Sequence, residues 1–358
     1  MIGGIQHLPL TSARYVVDHI QNINAILSSF KIKATCQDHR KTGHVSIYDL
    51  VLHQGARVRD VEKFSQEIAM SLRAKTFPLL KAIPELGVVR LQVVEDNPSK
   101  IDFINKMQEQ EAPKGILPFY LGETSEGGPL WVDFHSAPHV LIAGTSGSGK
   151  STLLHSIIGN ALHTHKLEID LVDTKQVEFS RYETIGRKLL NVLNSYAAFS
   201  ERLEVLYKEM NQRYKFMRER KLPGNWFSNP DCPHPYLLVV IDEFADLIMQ
   251  DQDGSMFDVI CKIAQKGRAA GIHLVIATQR PSSDILRGSL KANFPTRIAC
   301  RVSSRVDSQV ILDAPGANLL FGMGDALIKS ANHDMQRFQC AFASAESVCN
   351  EYLSKSGD

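Results

Sequence analysis

Apolar residues recur at helical spacing over residues 12–30, where Val16, Val17, Ile20, Ile23, Ile26 and Leu27 share a face and Thr11 or Ser12 can cap the start. The period then shortens. Lys31–Thr35 and Val45–Leu52 predict strands on either side of a polar turn at Gln37–Gly43. Asp60–Leu72 predicts an amphipathic helix burying Val61, Phe64, Ile68, Met70 and Leu72. Thr76–Ala82 and Val88–Val94 predict a strand pair around Pro84–Gly87. Together these make a small α+β domain over residues 1–115, with the polar stretch Asn97–Lys114 as its connector.

From residue 116 the rhythm changes. Pro118–Leu121 and Leu130–Val132 frame Gly127-Gly128-Pro129 as a hairpin. Beyond it, short runs rich in Val, Ile and Leu alternate with helical stretches: Val140–Ala143, Ile169–Val172, Leu237–Ile241, Ile272–Ala277 and Arg297–Val302. That alternation predicts an α/β domain with a mainly parallel sheet covered on both faces, spanning 116–345. The longest helical stretch, Tyr196–Arg220, carries Phe199, Leu203, Leu206, Met210 and Tyr214 on one face and charges on the other. Lys221–Pro235 holds Pro223, Gly224, Pro230, Pro233 and Pro235 and reads as a loop. Residues 346–358 form a short helical tail.

Composition adds limits. The 358 residues, 44% hydrophobic, suffice for two domains with packed cores, and no apolar run approaches the length of a membrane span. The N-terminus lacks the features of a signal peptide, so a cytoplasmic location and no integral membrane segment are expected. Six scattered cysteines without a C-x-x-C pair read as reduced thiols. A net charge of +1 excludes a chain coated in positive charge but leaves room for a local basic strip.

The chemistry begins where the first strand of the larger domain ends. Gly144-Thr145-Ser146-Gly147-Ser148-Gly149-Lys150-Ser151 fits G-x-x-x-x-G-K-[ST], with Val140–Ala143 leading in and Thr152–Ile158 reading as the helix that follows. Such a loop binds phosphate because main-chain N–H groups converge at a helix N-terminus. Gly144 through Thr152 are therefore expected to bind a nucleoside triphosphate, with Lys150 reaching the β- and γ-phosphates and Ser151 holding Mg²⁺. Leu237–Ile241 ends in Asp242-Glu243. The first acid can hold Mg²⁺ through water, and the second can orient and deprotonate the attacking water. Ile272–Ala277 leads into Thr278-Gln279-Arg280-Pro281, where the Gln279 amide can touch the γ-phosphate or the lytic water. Arg280 reads equally as a phosphate contact or a structural ion pair. An arginine from a neighbouring subunit often completes this chemistry. Arg297 is the first candidate, with Arg268 and Arg301 behind it.

These segments resemble the FtsK/SpoIIIE family of ATP-driven double-stranded DNA translocases. The resemblance is carried by His139–Ser151, Val240–Leu247, Arg268–Pro281, Lys291–Ala299, Ser303–Ser308 and Gly322–Leu327. Residues 44–95 look like a diverged version of the family's small α domain. The resemblance implies a RecA-like P-loop NTPase domain and a homo-oligomeric, hexameric ring around duplex DNA. It also implies ATP hydrolysed between subunits, with Arg297 donated in trans. Lys291, Arg305 and Lys329 become candidate DNA contacts, made to phosphates without sequence preference. No membrane segment and no C-terminal winged-helix module are read in this chain, so a motor serving a plasmid, phage or other mobile element is expected. The alternative is a protein-secretion ATPase of the type VII kind, which shares the fold.

Overall fold

The computed structural model describes residues 11–42, 45–76, 78–94, 100–164, 167–186, 189–222, 226, 235–330 and 333–356. The side chains of Val16 and Val17, and most of the proline-rich stretch 221–235, lie outside what is described. The chain divides into two compact units, residues 1–99 and 100–358.

In the first unit, α1 (Thr11–Ser29) is tied to the sheet by Asn24, whose Oδ1 accepts from Cys36 N at 2.8 Å and whose Nδ2 donates to Cys36 O at 3.2 Å. Strands β1 (Ala34–Thr42), β2 (Val45–Leu52), β3 (Leu79–Ile83) and β4 (Val88–Val94) form an antiparallel sheet in the order β1-β2-β4-β3. Ile23, Leu27, Leu50, Val61, Ile68, Leu91 and Val93 make its core. Two sequence expectations are corrected. The polar stretch Gln37–Thr42 is strand rather than turn, because β1 is an edge strand that pairs only with β2 and tolerates polar residues. The expected helix at 60–72 is broken at Phe64 (φ −109°) into α2 (Val58–Lys63) and α3 (Ser65–Ser71). Phe64 stacks on Phe30 with centroids 4.2 Å apart. Past the break the apolar stripe no longer keeps one face, and Met70, expected inside, is 76% exposed.

The second unit opens with β5 (Ile101–Asp102) and α4 (Phe103–Glu109), where a connector was expected. Phe103 is fully buried against α5 (Lys150–His163): a Cβ on Gly159 would stand 2.5 Å from the Phe103 ring. The hairpin β6 (Pro118–Thr124) and β7 (Pro129–Asp133) follows, then β8 (His139–Ala143), β9 (Leu167–Val172), β10 (Leu190–Leu193), α6 (Tyr196–Glu219), β11 (Tyr236–Ile241), α7 (Phe244–Gln250), α8 (Ser255–Ala270) and β12 (Ile272–Thr278). The chain closes with α9 (Gly288–Lys291), β13 (Thr296–Cys300), α10 (Arg305–Leu312), β14 (Asp325–Ser330), β15 (His333–Phe342) and α11 (Ala345–Ser356).

The sheet order is β10-β9-β11-β12-β8-β13-β14-β15-β6-β7, with β5 beside β15. Strands β10 through β13 run parallel and the remaining path is antiparallel. The parallel strands read as unbroken apolar runs because both faces are covered. The antiparallel half, β14 and β15, was not anticipated. It is fixed by the buried pair Arg337–Asp325, with contacts of 2.8 and 2.6 Å. Among the described cysteines, all are free thiols, as expected. No described helix is long and apolar enough to cross a membrane.

Candidate nucleotide-hydrolysis site

The three strands that carry the motifs are neighbours, with β12 between β8 and β11. All three are parallel, so their C-terminal ends deliver Gly144, Gln279 and Asp242 to one edge of the sheet.

Between β8 and α5 the chain makes a tight loop. Gly144 N donates to Thr278 O at 3.2 Å, and Thr145 donates to Arg301 O through both its N–H (2.9 Å) and its hydroxyl (3.1 Å). Gly147 and Gly149 adopt φ of +72° and +102°, a region costly for any side chain. Gly149 also lacks room: a Cβ there would stand 2.3 Å from Gly324 N. Gly324 N donates to Ser148 O at 2.9 Å, so the turn at 322–324 braces the loop from outside. Ser146 and Gly147 face solvent at the start of α5, where unpaired N–H groups and the helix dipole favour an anion. Ser148 Oγ, buried with no partner among the described residues, is a further polar atom within the loop.

Lys150 is buried. Its Nζ donates to both Asp242 O and Asp242 Oδ1, each at 2.7 Å. Burial pushes the Asp242 carboxyl above its ordinary range, Lys150 pulls it back, and the charges of Glu178 and Asp173 push it up again. A divalent cation beside Ser151 and Asp242 would relieve that crowding of carboxylates, so the donor set fits Mg²⁺.

Glu243 is gripped along the tip of β12. Its Oε1 accepts from the Thr278 hydroxyl (2.7 Å), Gln279 N (3.2 Å) and Ala245 N (3.3 Å), and its Oε2 accepts from Gln279 N (2.9 Å). Gln279 thus meets Glu243 through its main chain, while its side chain is exposed beyond the strand. Thr152 lies half-buried in the first turn of α5.

The basic candidates are arranged differently. Arg297 is engaged within its own subunit: it donates to Phe294 O (3.0 Å), Lys291 O (3.0 Å) and Ile311 O (3.4 Å) and pairs with Asp313. Lys291 Nζ also reaches Asp313 at 2.7 Å, and Lys329 Nζ donates to Leu312 O at 2.8 Å. Arg297, Lys291 and Lys329 therefore gather at the C-terminal end of α10, where cations suit the helix dipole. Arg305, at the other end of α10, is exposed, as is Arg280 beside Gln279. Arg301 is exposed next to the loop, and Arg268 Nε donates to His135 O at 3.2 Å.

Three residues at this edge went unread in the sequence. Thr278 holds Glu243. Asp173, buried after β9, accepts from the N–H groups of Lys175 (3.2 Å), Glu178 (2.8 Å) and Phe179 (2.9 Å). Glu178 accepts from the Ser151 hydroxyl at 2.7 Å. Asp173 carried a usable signal, since Ile169–Val172 ends in an acid just as Leu237–Ile241 does.

The chain matches the FtsK/SpoIIIE family over residues 103–224 and 228–283 and the FtsK alpha domain over residues 8–94. The DNA translocase FtsK of Streptococcus pneumoniae is 33% identical over 353 residues, covering 94% of this chain and 46% of that protein. The chain spans less than half the length of the curated relatives it matches. Among solved structures, the pCW3 conjugation coupling protein TcpA with ATPγS superposes with a TM-score of 0.67 at 20% identity, covering 95% of this chain and 99% of that one. The cytoplasmic domain of the type VII secretion ATPase EccC of Thermomonospora curvata gives 0.62 at 24% identity, covering 71% of this chain and 34% of that one. Both share its P-loop ATPase fold. The chain belongs to the FtsK/SpoIIIE family.

Proposed function

We propose that this chain is the motor of an ATP-dependent double-stranded DNA translocase, acting as a ring of identical subunits. The observation that carries the reading is the grip on Glu243. A carboxylate held by Thr278 and Gln279, beside a phosphate loop, is placed for hydrolysis rather than for nucleotide binding alone. When ATP enters, Lys150 exchanges the Asp242 carboxylate for phosphate oxygens, and Ser151, with Asp242 through water, would hold Mg²⁺. A bound Mg²⁺ would supply positive charge against the negative charge that develops on the phosphate oxygens. Glu243 accepts a proton as a water oxygen bonds to the γ-phosphorus and the bond to the β,γ-bridging oxygen breaks. Loss of the γ-phosphate is passed to β12 through Gln279.

The ring supplies an arginine from the next subunit. Arg297 can serve only by releasing Asp313, whereas Arg268, Arg280 and Arg301 are already exposed. Of the candidate DNA contacts, Arg305 is the one on an open surface, and Lys291 and Lys329 would have to leave the end of α10. Duplex DNA as cargo is supported by the family and by relatives named DNA translocases.

ATP turnover measured with and without long duplex DNA tests the reading. The expected result is stimulation of several-fold, abolished by Lys150→Ala and by Glu243→Gln. Turnover indifferent to DNA contradicts it and favours the protein-secretion alternative.

A further inference from the structure

We propose that Glu178 is a positioning residue for the Mg²⁺ site, acting through the Ser151 hydroxyl; this rests on the nucleotide reading above. A serine that ligates a metal must present an oxygen lone pair, so its proton needs an acceptor elsewhere. Glu178 Oε1 is that acceptor, at 2.7 Å. Outer partners of this kind commonly orient metal ligands.

The carboxylate is itself held from two directions. Asp173 accepts the main-chain N–H groups of Glu178 and Phe179 and so fixes the backbone that presents it. His155 Nε2 lies 3.5 Å from Glu178 Oε2, while His155 Nδ1 lies 3.0 Å from the Tyr182 hydroxyl. Burial raises the Tyr182 hydroxyl well above its ordinary range, so it keeps its proton. With that proton donated to Nδ1, the imidazole carries its own on Nε2, facing the carboxylate. The ring nitrogen and the Ser151 hydroxyl approach the two oxygens of the carboxylate separately, Oε2 from one side and Oε1 from the other. A chain Tyr182–His155–Glu178–Ser151 thus runs from the core of the domain to the metal ligand, and no other residue is needed to orient the hydroxyl.

The test is a Mg²⁺ titration of fluorescent ATP-analogue binding by the full chain, with binding in EDTA measured alongside. Glu178→Ala should need roughly 10–100-fold more Mg²⁺ to reach half-maximal enhancement of binding, the range typical when a ligand's outer partner is lost. Its affinity in EDTA and its melting temperature should stay near wild type. Glu178→Gln keeps an acceptor oxygen and should recover most of the loss. An unchanged Mg²⁺ requirement in Glu178→Ala, or an equal loss of affinity in EDTA, overturns the inference. If wild type itself binds the analogue without regard to Mg²⁺, the nucleotide reading beneath it fails instead.

Discussion

Gly149 shows how tightly single residues constrain this site. Its φ of +102° and the 2.3 Å from a would-be Cβ to Gly324 N leave no place for a side chain. Gly149→Ala is expected to lose nucleotide binding and to cost about 1–3 kcal/mol of stability through backbone strain, read by analogue fluorescence and thermal melting. Thr278→Val tests the grip on Glu243 in isolation. Removing a hydrogen bond to a charged group is worth about 1.5–3 kcal/mol, so kcat should fall roughly 10-fold or more with KM little changed in steady-state assays. Lys150, Ser151, Asp242 and Glu243 were legible because adjacent residues in the chain carry their chemistry. Asp173 was legible from the acid that ends its apolar run but went unread, and Glu178 was not legible, because its side-chain partners Ser151 and His155 come from another element. Nothing local to Glu178 announces Ser151, 27 positions away in sequence.

At the scale of elements, the apolar parallel strands β8, β9, β11 and β12 were readable, since burial on both faces removes the need for alternation. The split at Phe64, the helix α4 and the antiparallel strands β14 and β15 were not. Each depends on a tertiary contact: Phe64 on Phe30, Phe103 against Gly159, Arg337 on Asp325. The last pair bears on function, because Asp325 Oδ2 also accepts from Phe321 N (2.8 Å) and so anchors the turn that braces the phosphate loop. Arg337→Ala leaves a buried carboxylate uncompensated and is expected to cost about 3–5 kcal/mol in denaturant unfolding. Any folded fraction should also bind nucleotide more weakly. The cluster at the end of α10 belongs to this scale too. Sequence alone cast Arg297 as the arginine donated in trans and Lys291 and Lys329 as DNA contacts, yet the fold brings all three to one helix terminus.

Across the whole molecule, acid stability should reflect two buried histidines on neighbouring strands. Burial pushes His139 down to about 3, with His273 adding to the effect, and pushes His273 down to about 4. Their ordinary value is 6.5, so below it the unfolded chain takes up protons that the folded chain refuses. Their contribution to stability is complete above pH 6.5 and drains away as pH falls toward 4 and then 3. Urea midpoints should therefore decline over that window, and replacing both histidines with Gln should flatten the decline. The net charge of +1 foretold none of this, nor whether the molecule grips a polyanion. Movement along DNA is what the proposed function requires, and displacement of a third strand from a long duplex reads it. With ATP and Mg²⁺ the wild-type chain should strip the triplex, Lys150→Ala and Glu243→Gln should not, and a gap in the duplex should stop it. Rapid ATP turnover that leaves the third strand in place on an intact duplex would contradict translocation.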